Sequence, residues 1–231
     1  MLVAAWFMPL SVCPGKDRGE ILKEHERNSL SLELQFSHKN PSTLERMITL
    51  LDPGPNGYAT GFFVGKGLVI TAYHVVSGEL DISKRRALGF NKSEPLAVRI
   101  FTNGCQAKIV SVDKEADLAL LQVCGVSKRD AAPLFQSTIV KDEKIMLIAK
   151  PHGEKVVGHG TFIGSYEFNG IEYWSIRIAA RDGFSGSPVY NEQGEVIGVF
   201  SGYDWSKKLA VVSQGARAQK LLEQFAATGR P

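Results

Sequence analysis

The chain has 231 residues, enough for one large all-β domain or two small barrels sharing a core, and its three cysteines do not make the framework of a small disulfide-stapled secreted domain. A hydrophobic fraction of 44% with 23 glycines suits a turn-rich β protein. The formal net charge of +3 is small for this length, and the densest basic stretch, Ser83-Lys84-Arg85-Arg86 followed by Asn91-Lys92, reads as a solvated loop, so no nucleic-acid partner is expected.

In chain order, Met1–Cys13 is apolar but too short to span a bilayer and lacks a basic n-region, so no stable membrane span is expected. Leu10-Ser11-Val12-Cys13 resembles a lipoprotein cleavage box with valine where a small residue belongs. A cytoplasmic chain is the reading preferred, with export or envelope association the alternative; the start also fits a misplaced initiation site or a cut from a longer precursor. Glu20–Arg27 is helix-permissive, Leu30–Phe36 alternates like a strand, and His38-Lys39-Asn40-Pro41-Ser42 breaks the pattern as a linker. Met47–Leu51 fits either a first strand or a helix end, and Asp52-Pro53-Gly54-Pro55-Asn56-Gly57 is a turn.

From Tyr58 onward short strand candidates recur: Thr60–Val64, Leu68–Thr71, Leu96–Phe101, Ala107–Val112, Leu118–Val123 and Lys144–Ala149. Val156–Ile163, Tyr173–Ile178, Pro188–Tyr190, Val196–Ser201 and Leu209–Val212 complete the series. Clusters such as Gly65-Lys66-Gly67 and Asn191-Glu192-Gln193-Gly194 separate them, which indicates an all-β barrel or sandwich. Ala216–Ala226 carries Ala218, Leu221, Leu222 and Phe225 at helical spacing and predicts a terminal amphipathic helix. Cys105 and Cys124 would face each other if Gln106–Val112 and Leu118–Val123 pair as a hairpin, but buried free cysteines are the expectation.

Three motifs stand at the edges of apolar runs: Thr71-Ala72-Tyr73-His74-Val75-Val76, Ala116-Asp117-Leu118-Ala119-Leu120-Leu121 and Gly183-Phe184-Ser185-Gly186-Ser187-Pro188. Acyl transfer by serine needs a hydroxyl, a base to take its proton, a group to orient the base, and N–H donors for the developing oxyanion. Glycines on both sides of Phe184-Ser185 suit a tight turn in which the amides of Gly183 and Ser185 point into one pocket. Each motif alone fits a plain turn; three of them, ordered His, Asp, Ser on a β framework, do not. Asp113 or Asp182 in place of Asp117, and Ser187 in place of Ser185, are the competing assignments.

These residues resemble the trypsin-like serine peptidase superfamily, and within it most the HtrA/DegP-type peptidase domains and related viral proteases. Tyr58-Ala59-Thr60-Gly61-Phe62-Phe63-Val64 is similar to their opening strands, Gly194-Glu195-Val196-Ile197-Gly198-Val199 to the strand after the nucleophile, and Ala210-Val211-Val212 to the end of HtrA-type domains. The resemblance covers Met47–Phe225 and implies an all-β fold: two six-stranded antiparallel β-barrels, a cleft between them, and a C-terminal α-helix. An extension over 1–41 would precede a protease domain over 42–231. By the same resemblance Ser185 is the nucleophile, His74 the general base and acid, Asp117 the residue that holds the imidazole tautomer, and Gly183 and Ser185 the oxyanion donors. Ser201-Gly202-Tyr203 would pair with the backbone of a protein or peptide substrate as an added strand. No cofactor is implied, and His25, His38, His74, His152 and His159 show no zinc-ligand spacing with cysteine.

Two departures qualify the resemblance. Phe184 stands where digestive proteases carry the aspartate that bonds a freed N-terminus, and there is no Ile-Val-Gly-Gly start, so the oxyanion loop must be held by packing. No PDZ-like region follows the last helix, so regulation through one is not expected. Ala179, six residues before Ser185, disfavours basic P1 residues, and Phe200, with no histidine on its strand, disfavours Glu or Gln; a small or medium apolar P1 is expected. A non-catalytic binding module on a protease fold and a viral-type polyprotein-processing protease are the alternatives. An α/β-hydrolase fits poorly, because Ser187 spoils the Gly-x-Ser-x-Gly elbow and the order is wrong.

Overall fold

The computed structural model describes residues 18–50, 54–124 and 132–228. Helix α1 (Arg18–Glu26) leads into strand β1 (Ser29–His38), where Leu30, Leu32, Leu34 and Phe36 are buried and the residues between them are at most half-buried. This period of two builds one face of a sheet. Although expected in an extension ahead of residue 42, β1 lies inside the first sheet, paired to β2 (Gly57–Gly65) on one side and β4 (Leu96–Thr102) on the other. Met47–Leu50 falls in helix α2 (Thr43–Leu50), whose start is closed reciprocally: Ser42 N–H donates to Glu45 Oε2 at 2.6 Å and Glu45 N–H to Ser42 Oγ at 3.3 Å. Leu51, Asp52 and Pro53, and Met1–Cys13 with its cleavage-box motif, lie outside the described residues.

The first sheet continues through β3 (Leu68–Ala72), β5 (Cys105–Gln106), β6 (Lys108–Asp113) and β7 (Leu118–Gln122) in the order β5-β4-β1-β2-β3-β7-β6. Its two edges, β5 and β6, are successive segments separated only by Ala107, whose N–H donates to Ile100 O at 2.8 Å. One bent stretch of chain thus serves both edges, so a sheet expected as a six-stranded barrel counts seven strands. The β6–β7 hairpin pairs Lys108 with Gln122, which brings Cys105 and Cys124 to one end of the sheet. They form a disulfide there (Cα–Cα 6.0 Å), with Cys124 exposed and Cys105 half-buried, where buried free thiols were expected.

The second sheet is a closed six-stranded barrel, β10-β13-β12-β11-β8-β9. Its strands are β8 (Lys144–Ala149), β9 (Val156–Phe168), β10 (Ile171–Arg177), β11 (Pro188–Tyr190), β12 (Val196–Asp204) and β13 (Leu209–Gln214). Strand β9 is longer than its expected end at Ile163 because it continues into a hairpin with β10 through Asn169-Gly170. Gly160 within it passes so close to β10 that a Cβ would stand 2.3 Å from Arg177 O.

Helix α5 (Gly215–Ala227) ends the described chain, and its expected apolar positions Ala218, Leu221, Leu222 and Phe225 all meet the core between the two sheets. That core joins Phe62, Ile70, Leu118 and Leu120 of the first sheet to Ile148, Tyr190, Val196 and Val199 of the barrel. Among the described residues no helix is long and apolar enough to cross a membrane.

Candidate active site

Strand β3 is buried from Val69 to Ala72, and the chain then turns into a single helical turn, α3 (Tyr73–Val76). Val75 and Val76 drop into the core of the first sheet, which turns the intervening face, and with it His74, toward the cleft. The His74 side chain is 39% exposed. Tyr73 N–H donates to Asp117 O at 2.9 Å, so the turn is tied at its start to the loop before β7.

Asp117 has φ 53°, in the left-handed region that aspartate enters at modest cost. This kink lets Ala116 and Leu118 stay buried while the carboxylate, 18% exposed, points to the histidine. Asp117 Oδ1 accepts His74 N–H at 2.8 Å, and Oδ2 lies 2.9 Å from His74 Nδ1. A carboxylate only accepts, so Nδ1 carries the proton and Nε2 presents its lone pair. His74 Nε2 is 2.8 Å from Ser185 Oγ. The Ser201 hydroxyl also donates to Asp117 Oδ2 and lies 3.3 Å from Ser213 Oγ, which in turn donates to Ala116 O. Tyr173 OH donates to Glu115 O at 2.7 Å, and burial with the nearby Asp117 charge pushes its phenol above the ordinary value.

The segment carrying Ser185 crosses from the barrel to the first sheet. Gly186 has φ 83°, and a Cβ there would lie 2.2 Å from both Thr60 O and Thr71 Oγ1, so only glycine permits this approach. Gly186 N–H donates to Phe200 O at 2.8 Å and Ser187 N–H to Phe184 O at 2.9 Å. Phe184 is 2% exposed, packed in the barrel core with its ring edge-on to Phe200 at 6.2 Å. Arg181 lies over its ring at 5.7 Å. Packing therefore anchors this loop, as the phenylalanine requires. Among the described residues, no protein acceptor takes the N–H of Gly183 or of Ser185.

The competing residues stand elsewhere. Asp113 is gripped by Arg217, with Nη2 at 2.8 Å and Nε at 3.0 Å from Oδ2. Asp182 is an exposed carboxylate 3.2 Å from Lys84 Nζ. Ser187 is fully buried, its hydroxyl without a hydrogen-bond partner among the described residues.

Of the residues expected to meet substrate, Ala179 is exposed, and Phe200 is 4% exposed within the barrel core rather than on its surface. Gly202 is half-buried, and a Cβ built on it meets nothing within 4 Å. Tyr203 is half-buried and T-stacked at 4.7 Å on the exposed Trp205. The contacts of Ser201 and Ser213 with the Asp117 loop could not be read from strand alternation, because a register shift between Phe200 and Gly202 resets which way the side chains face. Among the described residues no group of three or more His, Cys, Asp or Glu is disposed to hold a metal ion.

Residues 59–199 match the trypsin-like peptidase domain family. Over 151 residues the chain is 25% identical to a probable periplasmic serine endoprotease, DegP-like, of Pseudomonas savastanoi pv. phaseolicola, covering 62% of this chain and 28% of that protein. It is 27% identical over 153 residues to serine protease Do-like HtrB of Bacillus subtilis, covering 59% of this chain and 30% of that protein. The chain thus spans less than a third of the length of these relatives. The structure is similar to the active form of the Rv3671c protease from M. tuberculosis, with a TM-score of 0.63 and 17% identity over 97% of this chain and 94% of that one, a likeness of fold.

Proposed function

The chain belongs to the trypsin-like peptidase domain family, and from that membership we propose that it is a serine endopeptidase whose reaction is carried by Ser185, His74 and Asp117. The observation that carries the reading is the hydrogen-bonded line from Asp117 Oδ2 through the imidazole to Ser185 Oγ, at 2.9 and 2.8 Å. Ser185 Oγ attacks the carbonyl carbon of a peptide bond while His74 Nε2 takes its proton. The oxyanion meets the N–H groups of Gly183 and Ser185, which are not spent on protein acceptors among the described residues. Collapse breaks the C–N bond, and His74 returns the proton to the leaving amine. Water, deprotonated by His74, then attacks the acyl ester and regenerates the Ser185 hydroxyl. Asp117 holds Nδ1–H throughout and stabilises the imidazolium.

Substrate enters as an extended strand along Ser201-Gly202-Tyr203. The exposed Ala179 and the open space over Gly202 suit a small or medium apolar P1 side chain. The test is labelling of the purified protein with a fluorophosphonate probe beside a Ser185→Ala control. Labelling of the wild type alone is the expected result. A folded wild-type protein that takes no label overturns the reading in favour of a non-catalytic binding module.

A further inference from the structure

Thr60 sits near the middle of β2, fully buried, among Ala59, Phe62, Phe63 and Val64. A valine would satisfy this packing, so the hydroxyl is what needs explaining. It uses both of its hydrogen-bonding capacities on one region of the second barrel. The Oγ1–H donates to Gly183 O at 2.8 Å, and Oγ1 accepts Lys150 N–H at 3.0 Å. The backbone of the same residue adds a third tie, since Thr60 N–H donates to Ser185 O at 2.9 Å. Thr60 O is held in turn by Thr71 Oγ1 at 2.8 Å.

We propose that Thr60 is a positioning residue that fixes the oxyanion loop through its side-chain hydroxyl, an inference that rests on the roles given above to Gly183 and Ser185. Its two bonds to Gly183 O and Ser185 O set the peptide planes on either side of the one that carries the Ser185 N–H. The hydroxyl also gathers the other wall of the loop. Lys150 leads into a 3-10 turn, Pro151–Gly153, and Pro151 lies against Gly183 so tightly that a Cβ on that glycine would stand 2.5 Å from Pro151 Cβ. Tyr58, two residues before Thr60, stacks on His152 of the same turn at 3.8 Å, an independent tie between β2 and this wall. Strand β2 therefore supplies, from the first sheet, the constraint that a charged partner would supply if residue 184 were an aspartate. Loss of the hydroxyl takes away the bonds to the Gly183 carbonyl and the Lys150 amide at a half-buried place, and the loop gains an incentive to turn them toward water.

The experiment compares wild type, Thr60→Val and Thr60→Ser, each as the full chain, by amide hydrogen exchange over 150–153 and 183–187 and by the rate of fluorophosphonate labelling. Thr60→Ala stands in should Thr60→Val not fold. In the hydroxyl-free variant, exchange in both segments is expected to rise on the order of tenfold with the barrel strands unchanged. The maximal labelling rate falls on the order of tenfold or more at unchanged probe affinity. Thr60→Ser restores both. A hydroxyl-free variant with wild-type exchange in both segments, or Thr60→Ser behaving like it, overturns the proposal. Exchange that rises only in the hydroxyl-free variant, with a wild type that takes no label, upholds the positioning role and refutes the peptidase reading.

Discussion

Ser201 and His74 share one oxygen: the Ser201 hydroxyl donates to Asp117 Oδ2, the atom that also holds His74 Nδ1. Ser201 is thus a brace for the carboxylate as well as a residue on the strand expected to meet substrate. Ser201→Ala should keep the fold and lower kcat by about tenfold, the effect of removing one hydrogen bond to a charged group. Turnover of a peptide or ester substrate at an unchanged Tm checks this, and an unaltered kcat would show that the two His74 bonds suffice to hold Asp117.

His74→Ala removes the imidazole nitrogen that lies 2.8 Å from Ser185 Oγ, the base of the proposed reaction. Turnover should fall on the order of 10⁴-fold, with the residual rate coming from oxyanion stabilisation and binding. A variant within tenfold of wild type would remove His74 from the reaction.

Phe184→Ala should cost about 3–5 kcal/mol of stability, as a buried aromatic truncated in a packed core does. Labelling of Ser185 should drop with it, because the ring anchors the residue next to Ser185 in the barrel core. Denaturant unfolding and probe labelling together test the point; a stable variant with full labelling would mean that packing of this ring does not hold the loop.

Reduction of Cys105–Cys124, which closes 19 residues of chain, should lower the unfolding free energy by about 3 kcal/mol on the chain-entropy account. Urea unfolding of wild type with and without reductant, beside Cys124→Ser, gives the value. Indistinguishable midpoints would show that the sheet edges are held without the bond.

Asp204, at the β12–β13 turn, is held down to about 2 by hydrogen bonds from the Ser206 hydroxyl, Lys207 N–H and the Tyr166 phenol. A depressed carboxyl stabilises the folded turn above its unfolded value of 3.8, and that contribution disappears as pH falls toward about 2. Protection of the Ser206 and Lys207 amides should therefore persist through pH 4 and fail near the lower value, and Asp204→Asn should abolish the transition. Titration of Asp204 near 3.8 would contradict the account.

The barrel architecture was legible because its strands are local patterns: Leu68–Thr71 and Lys144–Ala149 announce themselves by apolar runs between glycine-rich turns. The three motif residues were legible for a similar reason, each standing where an apolar run begins or ends. What pairs with what was not. Nothing near Leu30–Phe36 says that its partners are Ala59 and Ile100, because ladder partners are chosen by the assembled sheet. Helix α4 (Ile82–Ala87) is not legible either, since its basic residues suggest a loop; its start is capped by the Asp81 carboxylate, which accepts Lys84 N–H at 2.8 Å. In the sequence Thr60 belongs only to an opening strand; its hydroxyl acquires a purpose when Gly183 and Lys150 arrive beside it.

The bond between Cys105 and Cys124 spans the exposed turn Lys114-Glu115, the stretch just ahead of Asp117. A backbone clip at that turn would leave both halves covalently joined, with Asp117 at the head of β7 on one half and β6 tethered on the other. A molecule nicked at this turn would run as one band on a denaturing gel until reduced, so an unreduced gel does not report whether this stretch of chain is intact.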